Sequence, residues 1–493
     1  MLRGALKLFS GSLLGKLAGA GREMLLAAFF GTSAATAALR VAQVATLVPV
    51  NFFTADSLSA GFLPLYSRYT ERGDGYAQSL FWLVSVTMSV VSVIVALFLF
   101  VGAPLWISLI APGFDRETRT YAVLFVRVMS AGVPFYVAGG LFSYLEMANG
   151  EYKLASLRAT VQSVGMIAGV LLAFILKEIV WLAWGFTLAY VFYAFWGGMR
   201  VCSRGWMSLP VSMTRLRAKD IGHEFWQVMK PLLLLPLLLQ GNIVVERAVA
   251  SLLGTATVAA LDYARFITDT GVLLLAVPIG LAGLATIGRM SDEQLKVTLN
   301  GLMPLLLLAT VPLSIALAVH SHLLVSLIYE RGVFDSESTK LTGLVLVGSA
   351  VGFWAQVISY VLIKVMNARF RNREVFLFMA AGLLANSAIN IGLYRMIGPI
   401  VLGLGNCTYG LVVLACCCWR MKLASLFVRR LMWFGVAAVG YFLLERSIPS
   451  AGALGWMAAA LLFVGYWAAF IVLTPMFRQD LSSSIQHFRG TAA

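Results

Sequence analysis

Apolar stretches of about twenty residues recur from one end of this chain to the other, and that is the length a helix needs to cross the hydrocarbon core of a bilayer. They fall near residues 5–30, 34–65, 79–103, 120–146, 155–176, 179–201, 224–253, 256–286, 299–328, 340–366, 374–395, 398–419, 428–447 and 451–475. In hydrocarbon every backbone N–H and C=O must be satisfied within the protein, so such stretches read as helices. The fold this predicts is an all-α membrane protein with about 14 transmembrane helices. Composition agrees. Of 493 residues 60% are hydrophobic and 12% charged, where soluble domains carry about 25% charged residues, and the mean hydropathy is +0.87.

The net charge of +15 does not point to nucleic acid, because the Lys and Arg residues are spread over short inter-helix segments with no single basic face or recognition motif. Topology accounts for them. With both termini cytoplasmic, the basic segments around Arg68–Arg72, Arg200–Lys219, Arg369–Arg373 and Arg420–Arg430 all lie inside, and the opposite side receives only Arg116, Arg119, Lys177, Arg331, Lys340, Arg395 and Arg446. That asymmetry fixes the orientation and requires an even number of spans. The expected location is the bacterial inner membrane. Cys202, Cys407, Cys416, Cys417 and Cys418 lack the spacings of a zinc site or a disulfide framework and read as small hydrophobes. No cleavable signal is expected, since Lys16 and Arg22 interrupt the first apolar stretch and no small-residue cleavage site follows.

The longest hydrophilic break, Cys202 to His223, divides the chain. The organisation read from it is an N-terminal six-helix bundle over 1–202, a basic cytoplasmic linker over 203–223, a C-terminal six-helix bundle over 224–420, two appended helices over 421–475 and a cytoplasmic tail over 476–493. The halves echo each other. Ala37-Ala38-Leu39-Arg40-Val41-Ala42 returns as Ala259-Ala260-Leu261-Asp262-Tyr263-Ala264, each after a Gly-Thr pair (Gly31-Thr32 and Gly254-Thr255). Ser108 to Asp115, with its Ala111-Pro112-Gly113-Phe114 turn, is echoed by Ser326-Leu327-Ile328 and Gly332-Val333-Phe334-Asp335. Six-span repeats that restart on the same side predict pseudo-two-fold symmetry about the membrane normal.

A cation at the bilayer centre costs about 2.5–3.5 kcal/mol on insertion scales, so it faces a partner or a wet cavity and marks a functional site by default. Lys16, Arg22, Arg40, Arg127, Arg247 and Arg265 are such residues. The planar guanidinium fork grips phosphate oxygens in pairs and keeps its charge in apolar surroundings. Lys16, Arg22, Arg40, Arg247 and Arg265 are therefore candidate ligands of a pyrophosphate. The plainer alternative is local pairing, Arg22 with Glu23 and Arg247 with Glu246, or snorkelling. Asp262, Arg265 and Asp269, spaced i, i+3 and i+7, share one helical face, so Asp262 and Asp269 form a charge stripe with Arg265 that lines a pathway or an ion-pair ladder. Asn242, Asn386, Asn390 and Thr408 offer oxygens to a hard cation, although interhelical hydrogen bonding explains them as well. Gly132 with Pro134, and Pro278 with Gly280, are hinge candidates, with packing kinks as the alternative.

Gly19-Ala20-Gly21-Arg22-Glu23, Phe29-Phe30-Gly31-Thr32, Ser59 to Pro64, Ala111 to Phe114, Tyr263-Ala264-Arg265 and Tyr329 to Phe334 together resemble the MviN/MurJ family of lipid-linked saccharide flippases, in the superfamily that also holds multidrug and toxin extrusion proteins. The resemblance runs over most of the chain. It implies a V-shaped pair of six-helix bundles, a central cavity open alternately to each side, and a groove from the last two helices for a polyprenyl tail. By the same resemblance Lys16 and Arg22 match two arginines of the first helix, and Arg265 approximately matches one of the eighth. Two positions depart: Ala37 stands where peptidoglycan-precursor flippases carry an acid, and uncharged residues near Asn51 replace an arginine pair. The expected substrate is therefore a polyprenyl-pyrophosphate-linked exopolysaccharide unit, with lipid II as the alternative.

An organic-cation exporter needs a carboxylate-rich cavity, and here cations outnumber acids. A membrane glycosyltransferase or acyltransferase needs an acidic or His/Asp site in a loop, and these loops are short and basic. No enzyme and no resident cofactor are expected. The energy source expected of such a transporter is a coupling ion, Na+ or H+, or the membrane potential. The expected partners are the lipid-linked saccharide, the bilayer, and a polysaccharide polymerase or cell-wall synthesis proteins, with the flippase itself monomeric.

Overall fold

The computed structural model describes residues 2–54, 56–73, 75–208, 214–287, 290–446 and 452–482, without the side chains of 2–9, 56–57, 277–286, 452–454 and 456. Contacts divide the chain into two compact units, Met1–Ala259 with Arg331–Asp335, and Ala260–Glu330 with Ser336–Ala493. The first holds α1 (Leu2–Phe30), α2 (Ala34–Thr54), α3 (Asp56–Arg72), α4 (Tyr76–Ile110), α5 (Arg116–Ser130), α6 (Val133–Ala148), α7 (Lys153–Leu176), α8 (Val180–Ser203), α9 (Arg215–Met229), α10 (Leu234–Leu253) and the start of α11 (Thr255–Ile287). The rest of α11 belongs to the second, with α12 (Asp292–Val319), α13 (Ser321–Tyr329), α14 (Ser336–Val351), α15 (Phe353–Ala368), α16 (Asn372–Ile397), α17 (Ile400–Met421), α18 (Ala424–Glu445) and α19 (Gly452–Leu473).

Each apolar stretch read from the sequence falls on a helix or a helix pair. Among the described residues eight helices are long and apolar enough to cross a membrane, or eleven when each bent pair counts as one span. α1, α8 and α11, with 29, 24 and 33 residues, also have the length, but charges, glycines or aromatic residues dilute their hydropathy. The protein is an all-helical membrane protein.

Several stretches expected as single helices are broken. α5 and α6 meet at 47° and α14 and α15 at 48°, and α2 and α3, like α12 and α13, are separate elements. The first bend is where Gly132 ends one helix and Pro134 occupies the first turn of the next, a position that suits proline because its missing N–H would have no helical partner. Gly352 occupies the second, where a Cβ would come within 2.6 Å of the Cys407 Cβ on α17.

Lipid tails are as apolar as leucine, so helices associate in membranes through close approach over small residues. Accordingly α1 lies along α7, with Gly15 facing Ala159 so that a Cβ there would be 2.9 Å from the alanine's own. α7 then crosses α8 where a Cβ on Gly169 would sit 2.8 Å from the Gly185 Cα. In the second unit, a Cβ on Gly410 would sit 2.7 Å from the Gln356 Cγ, which sets α17 against α15.

The matched turns at 111–115 and 331–335 dock in matched ways. Gly113 donates its N–H to the Ser251 hydroxyl at 3.1 Å, and the Thr255 hydroxyl donates to Asp115 at 3.3 Å. The Asp115 carboxyl also accepts from the Thr118 hydroxyl, which holds it below the usual carboxylate range. Val333 donates to the Ala28 carbonyl at 2.9 Å. Each turn thus meets the last residues of the helix that opens the other repeat. Gly332 has φ +63, and a Cβ there would crowd the Ala28 backbone, so only glycine fits without strain.

Candidate substrate site

Glu23 on α1 is 2% exposed and sits between two guanidinium groups. Arg22 donates to its Oε1 from Nη2 at 2.6 Å and from Nε at 3.1 Å. Arg40, 4% exposed on α2, forms an ion pair with Oε2 and a second bond to Oε1 at 3.2 Å. One buried carboxylate is thus shared by two guanidiniums inside the first unit. The two are unequally held. Arg40 is locked to both carboxylate oxygens, whereas Arg22, 17% exposed, turns Nη1 to the Met166 sulfur at 3.5 Å, a weak acceptor. The Gln43 amide reaches the same sulfur at 3.4 Å. Arg22 is thus the more exposed and the less firmly held of the two guanidiniums.

The pairing of Arg22 with Glu23 is the local alternative seen in the sequence, which also grouped Arg22 with Arg40, but nothing there made Glu23 the partner of both or placed Met166 beside them. The same unit holds a cluster of tyrosines. The Tyr136 hydroxyl donates to Asn51 at 2.7 Å, and its ring meets Tyr190 edge to face at 4.8 Å. Arg158 is in the second turn of α7, with its guanidinium 4.4 Å from the Tyr136 ring centroid.

Lys16 is half-buried on α1, seven residues before Glu23 and hence on its face. Arg247 and Glu246 are both buried on α10, and Arg247 donates to the Val258 carbonyl at 3.4 Å. Asn242 is buried on the same helix. Arg127 is exposed at the end of α5 and donates to the Phe100 carbonyl at 3.3 Å.

In the second unit Asp262 and Arg265 are half-buried and Asp269 exposed on α11, which is helical through all three. Asn390 donates to Asn386 at 2.7 Å, and both are buried on α16. The pair faces Gly405 on α17, where a Cβ would sit 2.7 Å from the Asn390 Oδ1. The Thr408 hydroxyl bonds its own helix at the Leu404 carbonyl. Among the described residues no three His, Cys, Asp or Glu side chains gather as metal ligands would. Pro278 and Gly280 lie within α11, with their side chains outside the described set.

An all-helical, multi-span bundle whose buried polar cluster sets two arginines on one glutamate has the architecture of a membrane transporter. The sequence model described as lipid II flippase MurJ matches residues 26–477, and the chain belongs to that family. A probable lipid II flippase MurJ of Synechocystis is 27% identical over 79% of this chain and 75% of its own length. Its counterpart in Rhizobium meliloti is 27% identical over 93% and 86%. Among solved structures, a lipid II flippase MurJ in an inward closed conformation superposes with a TM-score of 0.82 over 96% of this chain and 99% of that one, at 19% identity. An inward-facing multidrug resistance MATE transporter of the MOP superfamily does so at 0.61 over 86% and 94%, at 16% identity. The family consists of flippases of lipid-linked substrates, so the protein is a transporter and not an enzyme.

Proposed function

We propose that the protein carries a polyprenyl-pyrophosphate-linked saccharide from the cytoplasmic to the periplasmic leaflet of the bacterial inner membrane, and that the saccharide is that of lipid II. The observation behind this reading is the Arg22–Glu23–Arg40 cluster, in which two unequally held guanidiniums share one carboxylate, an arrangement that suits a diphosphate. Arg22 exchanges its thioether contact for phosphate oxygens while Arg40 keeps Glu23 in place. In apolar surroundings each charge-assisted bond is stronger than in water. The relatives from Synechocystis, Thermotoga maritima and Rhizobium meliloti, each named as a probable lipid II flippase, favour lipid II.

A second reading, an exopolysaccharide unit, rests on one observation. Ala37 is fully buried on α2, which leaves no acid there, and Asn51 is engaged by Tyr136. In both readings the termini and the 203–223 segment face the cytoplasm, on the positive-inside asymmetry. A coupling ion or the membrane potential then sets the direction, because a ligand held equally in both states shifts nothing.

Complementation separates the readings. The wild-type gene should rescue a strain depleted of its lipid II flippase, Arg22→Ala should not, and Arg22→Lys should rescue partly, lacking the planar fork. Rescue only of a strain without its exopolysaccharide flippase would select the second reading. Rescue of neither strain, or full rescue by Arg22→Ala, would remove both.

A further inference from the structure

At one end of the second unit a cavity of about 440 Å³ is lined by five cationic side chains, Lys296, Arg369, Arg371, Arg420 and Lys422, and by a single acid, Asp292. Its floor is apolar, with Leu299 and Val365 buried beneath. Two of the cations are matched: Arg369 donates to Asp292 at 2.8 Å, and Arg420 donates to Glu374 at 2.7 and 3.2 Å. For Lys296, Arg371 and Lys422 no carboxylate lies within 4 Å among the described residues.

We propose that this hollow binds the phosphate-bearing head group of an anionic phospholipid from the surrounding leaflet. The positive-inside rule accounts for basic residues at this end but not for their convergence on one concavity. The helix dipole does not account for it either. Lys422 caps the C-terminus of α17, where a cation is favoured, but Arg371 occupies the N-cap of α16, where the dipole disfavours it. Like charges brought together around a hollow of ligand size repel one another until an anion enters. A lipid phosphate fits better than a free one for a reason visible at the rim. Phe370, 90% exposed, stands between Arg369 and Arg371, and Trp419, 77% exposed, precedes Arg420. Large aromatic side chains bare at the end of a membrane helix belong at the head-group level, and the apolar floor lies where the first acyl carbons would rest. Basic pockets between helices at this depth suit anionic head groups. The proposal is independent of which saccharide is flipped, since it touches none of the residues of the Glu23 cluster.

The test uses the full chain purified in detergent and native mass spectrometry, with phosphatidylglycerol, phosphatidylcholine and inorganic phosphate as probes. Wild-type protein should retain phosphatidylglycerol at least about tenfold over phosphatidylcholine. Lys296→Gln/Arg371→Gln/Lys422→Gln should lose that preference, and a control with the same charge removed elsewhere, Lys153→Gln/Arg215→Gln/Lys219→Gln, should keep it. Should the first triple variant fail to fold, Lys422→Gln alone should weaken phosphatidylglycerol retention about fivefold. Equal retention of the two lipids, or equal loss in the two triple variants, would overturn the proposal. So would displacement of the lipid by micromolar inorganic phosphate, which would identify a soluble-phosphate site instead.

Discussion

The backbone N–H of Val333 donates to the carbonyl of Ala28 at 2.9 Å across more than three hundred residues of sequence, and the matching turn of the first repeat meets Ser251 through Gly113. Two turns alike in sequence therefore hold two helix ends alike in sequence. Gly332 makes the approach possible. Gly332→Ala combines a left-handed conformation, costing about 1–2 kcal/mol for an L-residue, with a Cβ pressed on Ala28. Gly150→Ala supplies the comparison, since Gly150 has φ +80 but nothing within 4 Å. The melting temperature in detergent should fall further for Gly332→Ala, and equal falls would mean that the docking adds nothing.

Glu23 is shared by Arg22 and Arg40, so its loss costs more than either arginine's. Glu23→Gln leaves two guanidiniums facing one another in a buried site, and breaking a buried pair from one side costs about 3–5 kcal/mol. Adding Arg40→Gln should recover part of that loss. A double-mutant cycle on thermal stability reads the coupling, and strictly additive effects would contradict the shared carboxylate.

Two glycine-to-alanine changes should move stability in opposite directions. At Gly169 the new methyl meets the Trp181 carbonyl at 2.7 Å and the Gly185 Cα at 2.8 Å, an overpacking worth about 1–3 kcal/mol of destabilisation. At Gly241, inside α10 with nothing within 4 Å, alanine should stabilise by up to about 1 kcal/mol through helix propensity. Melting shifts of the same sign would refute this account of the α7–α8 crossing.

His320, between α12 and α13, shares a 2.7 Å hydrogen bond with the Tyr441 hydroxyl and lies 3.8 Å from Glu445, both on α18. Burial pushes its pKa below the ordinary 6.5, and Glu445 offsets part of the shift. The folded state therefore resists protonation while the unfolded state accepts it near pH 6.5, so stability is complete above about 6.5 and declines as pH falls below it. The protection factors of the α18 amides, taken against the intrinsic exchange rate at each pH, should fall at pH 5.5 relative to pH 7.5 in the wild type and do so less in His320→Gln. The same fall in both would show that another group titrates.

A periodicity and length count determines which stretches of this chain are helical and that they lie in a membrane, because hydrocarbon leaves the backbone no other way to satisfy its polar groups. It also exposed the repeat, the basic end and the charges that needed an explanation, Arg22 and Arg40 among them. What it could not supply is which helices touch. Glu23 and Arg40 are seventeen residues apart on different helices, and only the packing of α1 and α2 decided that one carboxylate serves two arginines. Met166 beside Arg22 follows from the close approach of α1 to α7 over small residues, and Arg158 over the Tyr136 ring from the packing of α7 on α6. Gly132 and Pro134 marked one bend in advance, whereas Gly352 at the other drew no notice, since an isolated glycine signals a break only once the neighbour crowding it is known. Periodicity reports the face a residue occupies. The partner across that face is a tertiary fact, set by the small residues that let particular helices come close.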